Sequence, residues 1–249
     1  MGHFNNYIGT FNYGIIELGK FNLMEVDLML IVGFGDSITA GVFLSVEDTF
    51  LYKLGLKYGF DIYNAGVPGN TTSQGLSRMQ TDVINKEPNI CIIEFGMNDH
   101  VATELDKQAV DPATFKENLT LMIKNLLDIK CTPILCTISP IIEGNEDEYY
   151  YNRHPQEWYQ SPLGAQAWID QYSQIIRDVA TEMGVRLADV ASAFANHLAL
   201  GGTLTGANGV LRNLDNAGAD DGVHPTAIGH DLYFSTLVEQ INTIQIGLC

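Results

Sequence analysis

Short apolar runs alternate with stretches of helical spacing along most of this chain. Leu28 to Val32 is the first run, and it predicts a short buried strand that stops at Gly33-Phe34-Gly35. Phe50, Leu51, Leu54 and Tyr58 then keep helical spacing, with Gly59 as the stop. Asp61 to Ala65 predicts a second strand, followed by a loop dense in turn formers, Asn64 to Thr72. Leu76, Met79 and Val83 mark another helix, capped by Thr72 or Ser73. Ile90 to Phe95 is a third apolar run, ending in Gly96-Met97-Asn98-Asp99.

A helix is expected from Pro112 to about Ile129, with Asp111 as its cap and Phe115, Leu119, Met122, Ile123 and Leu126 on one stripe. Pro133 to Thr137 reads as a fourth strand. A polar and aromatic insertion, Ser139 to Pro162, follows it. A helix from about Gly164 to Met183 precedes a fifth strand at Val185 to Asp189. A glycine-rich irregular region, Asn196 to Asp220, leads to Asp221-Gly222-Val223-His224-Pro225 and a last helix over Thr226 to Ile244. Strands alternating with helices of this length predict an α/β domain in three layers, a mostly parallel sheet with helices on both faces. The domain is expected to occupy residues 28–249, behind an extension of residues 1–27 that reads equally as a short hairpin packed on the domain or as sequence ahead of an original start at Met24.

Composition narrows the function. A chain of 249 residues that is 46% hydrophobic has ample material for one large core. Its formal charge of −17 disfavours nucleic acid and anionic membranes as partners and favours neutral or cationic substrates. No apolar run reaches the length of a membrane span. The first 27 residues lack a basic start and a clean apolar stretch, so no signal peptide is read and a cytoplasmic location is expected. Cys91, Cys131, Cys136 and Cys249 form no C-x-x-C pair; buried free thiols in a reducing compartment are the expectation.

Three strand ends carry chemistry. Ser37, Gly69 and Asn98 each follow the carboxyl end of an apolar run, and in a parallel sheet such ends share one edge. A serine hydroxyl needs a base, and His224 is the candidate. Asp221, three residues earlier, can reach the far ring nitrogen and fix its tautomer. The Ser37 and Gly69 N–H groups and the Asn98 amide are the natural donors for an oxyanion. Taken singly, Ser37 reads as a helix cap, Gly69 and Asn98 as turn residues, and Asp221 with His224 as a surface pair. Their joint occurrence, in order and at strand ends, favours nucleophilic catalysis.

These blocks resemble those of the GDSL esterases and lipases, or SGNH hydrolases. Gly35-Asp36-Ser37-Ile38-Thr39-Ala40-Gly41 is similar to the first block and Asn64-Ala65-Gly66-Val67-Pro68-Gly69-Asn70-Thr71 to the second. Gly96-Met97-Asn98-Asp99 is similar to the third, and Asp221 to Pro225 to the last. The resemblance implies a flavodoxin-like parallel sheet of about five strands. It also implies hydrolysis of carboxylic esters through an acyl-enzyme, without metal or other cofactor, with Ser37, Asp221 and His224 catalytic and Ser37, Gly69 and Asn98 forming the oxyanion hole.

Rival motifs are incomplete. Thr39 stands where G-x-S-x-G needs its second glycine, and Ile38 breaks G-x-G-x-x-G. Asp36, Asp99, Asp221, His224 and His230 form no tight metal-ligand motif. A binding module for an acylated carbohydrate or a protein partner, without turnover, is the alternative from another class. Short acyl groups, acetyl on carbohydrate among them, are the expected substrates. Tyr150 and Trp158 of the insertion are expected on a pocket wall or sugar-stacking platform, with a loop packed on the domain or a dimer contact as the alternative. The sequence assigns no oligomeric state.

Overall fold

The computed structural model describes residues 29–244. The expected extension at residues 1–27, Met24 and Cys249 lie outside them. Strand β1 (Leu30–Gly35) is followed by the four-residue helix α1 (Ser37–Ala40), α2 (Phe50–Tyr58), β2 (Asp61–Gly66) and α3 (Thr72–Asp82). Then come β3 (Ile90–Glu94), a small antiparallel pair β4 (Ala102–Glu104) and β5 (Lys107–Gln108), α4 (Pro112–Asp128) and β6 (Thr132–Cys136). The chain continues through α5 (Tyr150–Arg153), α6 (Ala165–Met183), β7 (Arg186–Ala188), α7 (Val190–Ala199), α8 (Leu214–Ala217) and α9 (Ala227–Asn242).

The main sheet has five strands in the order β2-β1-β3-β6-β7, all parallel. This is the flavodoxin-like order, and it brings every strand's carboxyl end to one edge. Helices α3, α4 and α6 pack side by side in one layer, and α2, α9 and α7 in another. β1, β3 and β6 lie in the interior of the sheet. Their apolar residues, Ile31 and Val32, Ile90 to Ile93, and Ile134 with Leu135, are buried, which is why these strands read as continuous hydrophobic runs.

β1 extends to Gly35, beyond the expected end at Val32. Its two glycines stand where neighbouring elements leave no room for a side chain. A Cβ on Gly33 would collide with the Leu51 side chain, and one on Gly35 with the Thr39 hydroxyl and the Glu94 carbonyl. α3 is capped by Thr71, in a capping box with Gln74, rather than by Thr72 or Ser73. α7 stands where no helix is expected, started by Asp189, whose side chain accepts from Ser192 N. The Ser139–Pro162 insertion folds onto the domain, carrying α5 and a 3₁₀ turn at Gln156–Trp158. Tyr150, Tyr151 and Tyr159 sink into an aromatic cluster with Trp168 of α6. Cys91, Cys131 and Cys136 are buried free thiols.

Candidate active site

Ser37 opens α1 immediately beyond β1. Asp36 is the cap of that helix, its Oδ1 accepting from Ile38 N at 2.9 Å. The Ser37 side chain is nearly buried, and its Oγ lies 3.0 Å from His224 Nε2. His224 comes from the other end of the chain. It is held there by a backbone ladder in which Arg212 N donates to the His224 carbonyl at 2.9 Å, Gly222 N to Arg212 O at 2.9 Å, and Thr226 N to Val210 O at 2.9 Å.

The far side of the imidazole meets Asp221. His224 Nδ1 is 3.0 Å from Asp221 Oδ2 and 3.1 Å from Oδ1. Asp221 Oδ1 also accepts from the Val223 and His224 amides, both at 2.9 Å. Burial alone would raise this carboxyl, but the bonds from the His224 ring and from the two amides pull it down to about 2. The result is a fixed anion that orients Nδ1–H toward itself and leaves Nε2 free to accept the serine proton. Arg212 adds a cation, its Nε 3.4 Å from Asp221 Oδ2.

The loops around Ser37 carry a set of donors. Neither Ser37 N–H nor Gly69 N–H has a protein acceptor among the described residues. Gly69 has φ +78°, a left-handed conformation that a glycine adopts without strain. Asn98 lies between these two loops. In the free protein its Nδ2 donates to Asp36 Oδ2 at 2.9 Å and to the Asn70 carbonyl at 3.1 Å. The expected Asn98 donor is therefore engaged before substrate arrives, and the longer bond, to Asn70, is the one an oxyanion would compete with.

Arg78 on α3 ties this edge together, and nothing in its local sequence announces it. Its Nη2 donates to Gly35 O at 2.8 Å, Nη1 to Ala65 O at 2.8 Å, and Nε to Asn70 Oδ1 at 2.8 Å. The same guanidinium lies over the Phe34 ring at 4.7 Å and pairs with Asp82 at 2.9 Å. One planar fork thus fixes the ends of β1 and β2 and the loop that presents Gly69.

Three buried acids underlie the site. Asp36 and Glu94 are adjacent carboxyls, and burial, followed for Asp36 by the charge of Glu94, pushes Asp36 well above the usual range; burial raises Glu94 too. Glu94 Oε2 accepts from Thr39 Oγ1 at 2.8 Å. Asp99 is raised by burial to about 6, against the pull of Thr72, whose N and Oγ1 both donate to Asp99 Oδ1. Asp99 ties α3 to the loop after β3.

Ser37, His224 and Asp221 are brought together, with Gly69 and Asn98 on the facing loops. Tyr150 is a correction. It is 2% exposed, and its hydroxyl is shared between His100 Nε2 at 2.9 Å and Tyr159 Oη at 3.0 Å. Acidic neighbours in sequence suggest a surface aromatic, yet the ring anchors the insertion from inside. Trp158 is half-buried and packs against the core; its carbonyl accepts from Asp106 N at 2.9 Å. His230 is buried against Phe50, whose N–H it accepts at 3.2 Å. No group of three or more His, Cys, Asp or Glu side chains among the described residues is arranged to hold a metal ion. None of the described helices is long and apolar enough to cross a membrane.

The family model described as GDSL-like Lipase/Acylhydrolase matches residues 34–232. Over 168 residues the chain is 35% identical to a Bacillus subtilis (strain 168) protein named "Uncharacterized lipoprotein YqeF", covering 64% of this chain and 69% of that one. Over 189 residues it is 25% identical to an acetylxylan esterase of Geobacillus stearothermophilus, 74% of this chain and 73% of the relative. Among solved structures, the lipase/acylhydrolase from Enterococcus faecalis superposes with a TM-score of 0.61 at 26% identity, covering 86% of this chain and 95% of that one.

Proposed function

The chain belongs to the GDSL-like lipase/acylhydrolase family, and on that premise we propose that it hydrolyses short-chain carboxylic esters through an acyl-enzyme on Ser37. The carrying observation is the unbroken relay from Ser37 Oγ to His224 Nε2 at 3.0 Å, and from His224 Nδ1 to Asp221 at 3.0 Å.

Ser37 Oγ attacks the ester carbonyl as His224 Nε2 takes its proton. Asp221 stabilises the imidazolium that results. The carbonyl oxygen becomes an oxyanion facing the Ser37 and Gly69 amides, with Asn98 Nδ2 as the third donor. On collapse, His224 returns the proton to the departing alcohol oxygen, and Ser37 keeps the acyl group. Water then repeats the cycle, with His224 as its base, and releases the carboxylic acid.

The acidic surface favours a neutral ester. Acetyl groups on carbohydrate fit that preference, and the acetylxylan esterase relative supports it. The test is hydrolysis of p-nitrophenyl acetate and of acetylated xylose by wild type and by Ser37→Ala, each checked for folding. Turnover by wild type alone is expected. Equal turnover by the folded variant would remove Ser37 from the reaction.

A further inference from the structure

Phe43 is 61% exposed, beside the base, in a conformation few side chains accept. Its φ is +69°, in the left-handed region that strains any residue with a Cβ. The turn leaving α1 holds it there, with Val42 N donating to Ser37 O and Leu44 N to Gly41 O, each at 3.1 Å. The ring meets the His224 imidazole edge-to-face at 5.2 Å. Arg212 places its guanidinium 4.3 Å from the ring centre while its Nε reaches Asp221 at 3.4 Å. A large apolar side chain that stays in water and occupies strained backbone has little folding benefit to explain it.

We propose that Phe43 is a specificity-determining platform for the alcohol half of the ester, and that this half is a sugar ring whose C–H face packs on the phenyl ring. The inference rests on the esterase reading above and goes further by assigning a side of the site.

The geometry of proton return selects that side. His224 Nε2 must reach the departing alcohol oxygen, so the alcohol leaves past the imidazole. The carbonyl oxygen turns the other way, toward the Ser37 and Gly69 amides. Phe43 contacts the imidazole. Substituents on the alcohol therefore pass the ring of Phe43, and the acyl chain is assigned away from it.

The chemistry of the platform selects a neutral ring. Its cationic neighbour Arg212 is already paired with Asp221. The chain as a whole carries −17, so an anionic alcohol gains little here. Arg212 covers one face of the ring, and the other offers apolar contact to axial C–H groups while equatorial hydroxyls stay in water.

The test compares Phe43→Ala, Phe43→Gly and Phe43→Tyr with wild type. Phe43→Gly removes the ring and relieves the φ strain, so it separates the platform from any folding defect in Phe43→Ala. Two ratios of kcat/KM are read, that of acetylated xylose to ethyl acetate and that of p-nitrophenyl butyrate to acetate. The first is expected to fall about 10-fold in Phe43→Ala and Phe43→Gly and to be kept in Phe43→Tyr. The second is expected to stay at its wild-type value, because both esters carry the same p-nitrophenol and differ only in the acyl chain, which is assigned away from Phe43. An equal loss on every ester would reduce Phe43 to a support for His224. A changed butyrate-to-acetate ratio would move it to the acyl side, and an unchanged first ratio would refute the platform. If folded wild type turns over no ester, the esterase reading itself fails, a result distinct from any of these.

Discussion

Removing Arg78 is expected to damage catalysis more than its distance from the reacting atoms suggests. The side chain is 17% exposed and makes four hydrogen bonds, to Gly35 O, Ala65 O, Asn70 Oδ1 and Asp82 Oδ2. The pair with Asp82 is partly solvated and contributes little. The other three, at about 1 kcal/mol each after solvent replacement, give roughly 3 kcal/mol of stability lost in Arg78→Ala. The kinetic cost arises separately. Gly35 lies two residues before Ser37, and Asn70 follows Gly69, so both loops proposed to carry the oxyanion donors lose an anchor. A shift of about 1 Å in such donors costs on the order of 10² in rate. Arg78→Lys restores the charge, but one ammonium cannot span two carbonyls and an amide; it is expected to recover part of the stability and little of the rate. Urea unfolding at neutral pH and kcat and KM on p-nitrophenyl acetate read both effects, with the loss expected in kcat. If folded Arg78→Ala kept kcat/KM within about threefold of wild type, Arg78 would not be positioning the donors.

Asp221→Asn is expected to lower kcat/KM by roughly 10³–10⁴ while the protein stays folded at pH 7, because the neutral amide no longer favours the productive His224 tautomer. The same carboxylate stabilises the fold through a lowered pKa, so its contribution is complete above about pH 4 and lost as pH falls toward 2; acid unfolding of wild type and variant should converge there. Glu94 has the opposite sign. Its carboxyl is raised by burial above its ordinary 4.5, so the folded state binds the proton more tightly and stability falls as pH rises from there toward neutral. Glu94→Gln is therefore expected to gain on wild type between pH 5 and 8, by at least ~1 kcal/mol in denaturant titrations; a pH-independent difference would mean Glu94 is ionised throughout. Tyr150→Phe strips a hydroxyl from His100 and Tyr159 and should cost about 1–3 kcal/mol in unfolding while ester selectivity is kept; altered selectivity at unchanged stability would return Tyr150 to the pocket.

The parallel core was legible because β1, β3 and β6 are buried on both faces and spell unbroken apolar runs. The positions of Ser37, Gly69 and Asn98 followed from it, since turn residues at parallel strand ends must meet on one edge. Long-range pairing was not legible. Arg78 reads as one more charged helix residue, and its partners come from β1, β2 and the Asn70 loop. Thr71 and Thr72 are chemically alike, and it is the Asp99 carboxylate and the Asn118 amide, both distant in sequence, that hold Thr72 inward and leave the cap to Thr71. Tyr150 was misplaced because neighbouring acids mask a ring whose partners, His100 and Tyr159, are supplied by the fold. Phe43 carries no sequence signal at all; its meaning lies in a backbone angle and in contacts with residues near the other end of the chain.

The most direct test of the central claim is the site of covalent capture by an alkyl fluorophosphonate, read by intact mass and peptide mapping. One equivalent on Ser37 is expected, with capture slowed strongly in His224→Ala and abolished in Ser37→Ala. Labelling elsewhere, or no labelling of folded protein that still hydrolyses p-nitrophenyl acetate, would contradict an acyl-enzyme on Ser37.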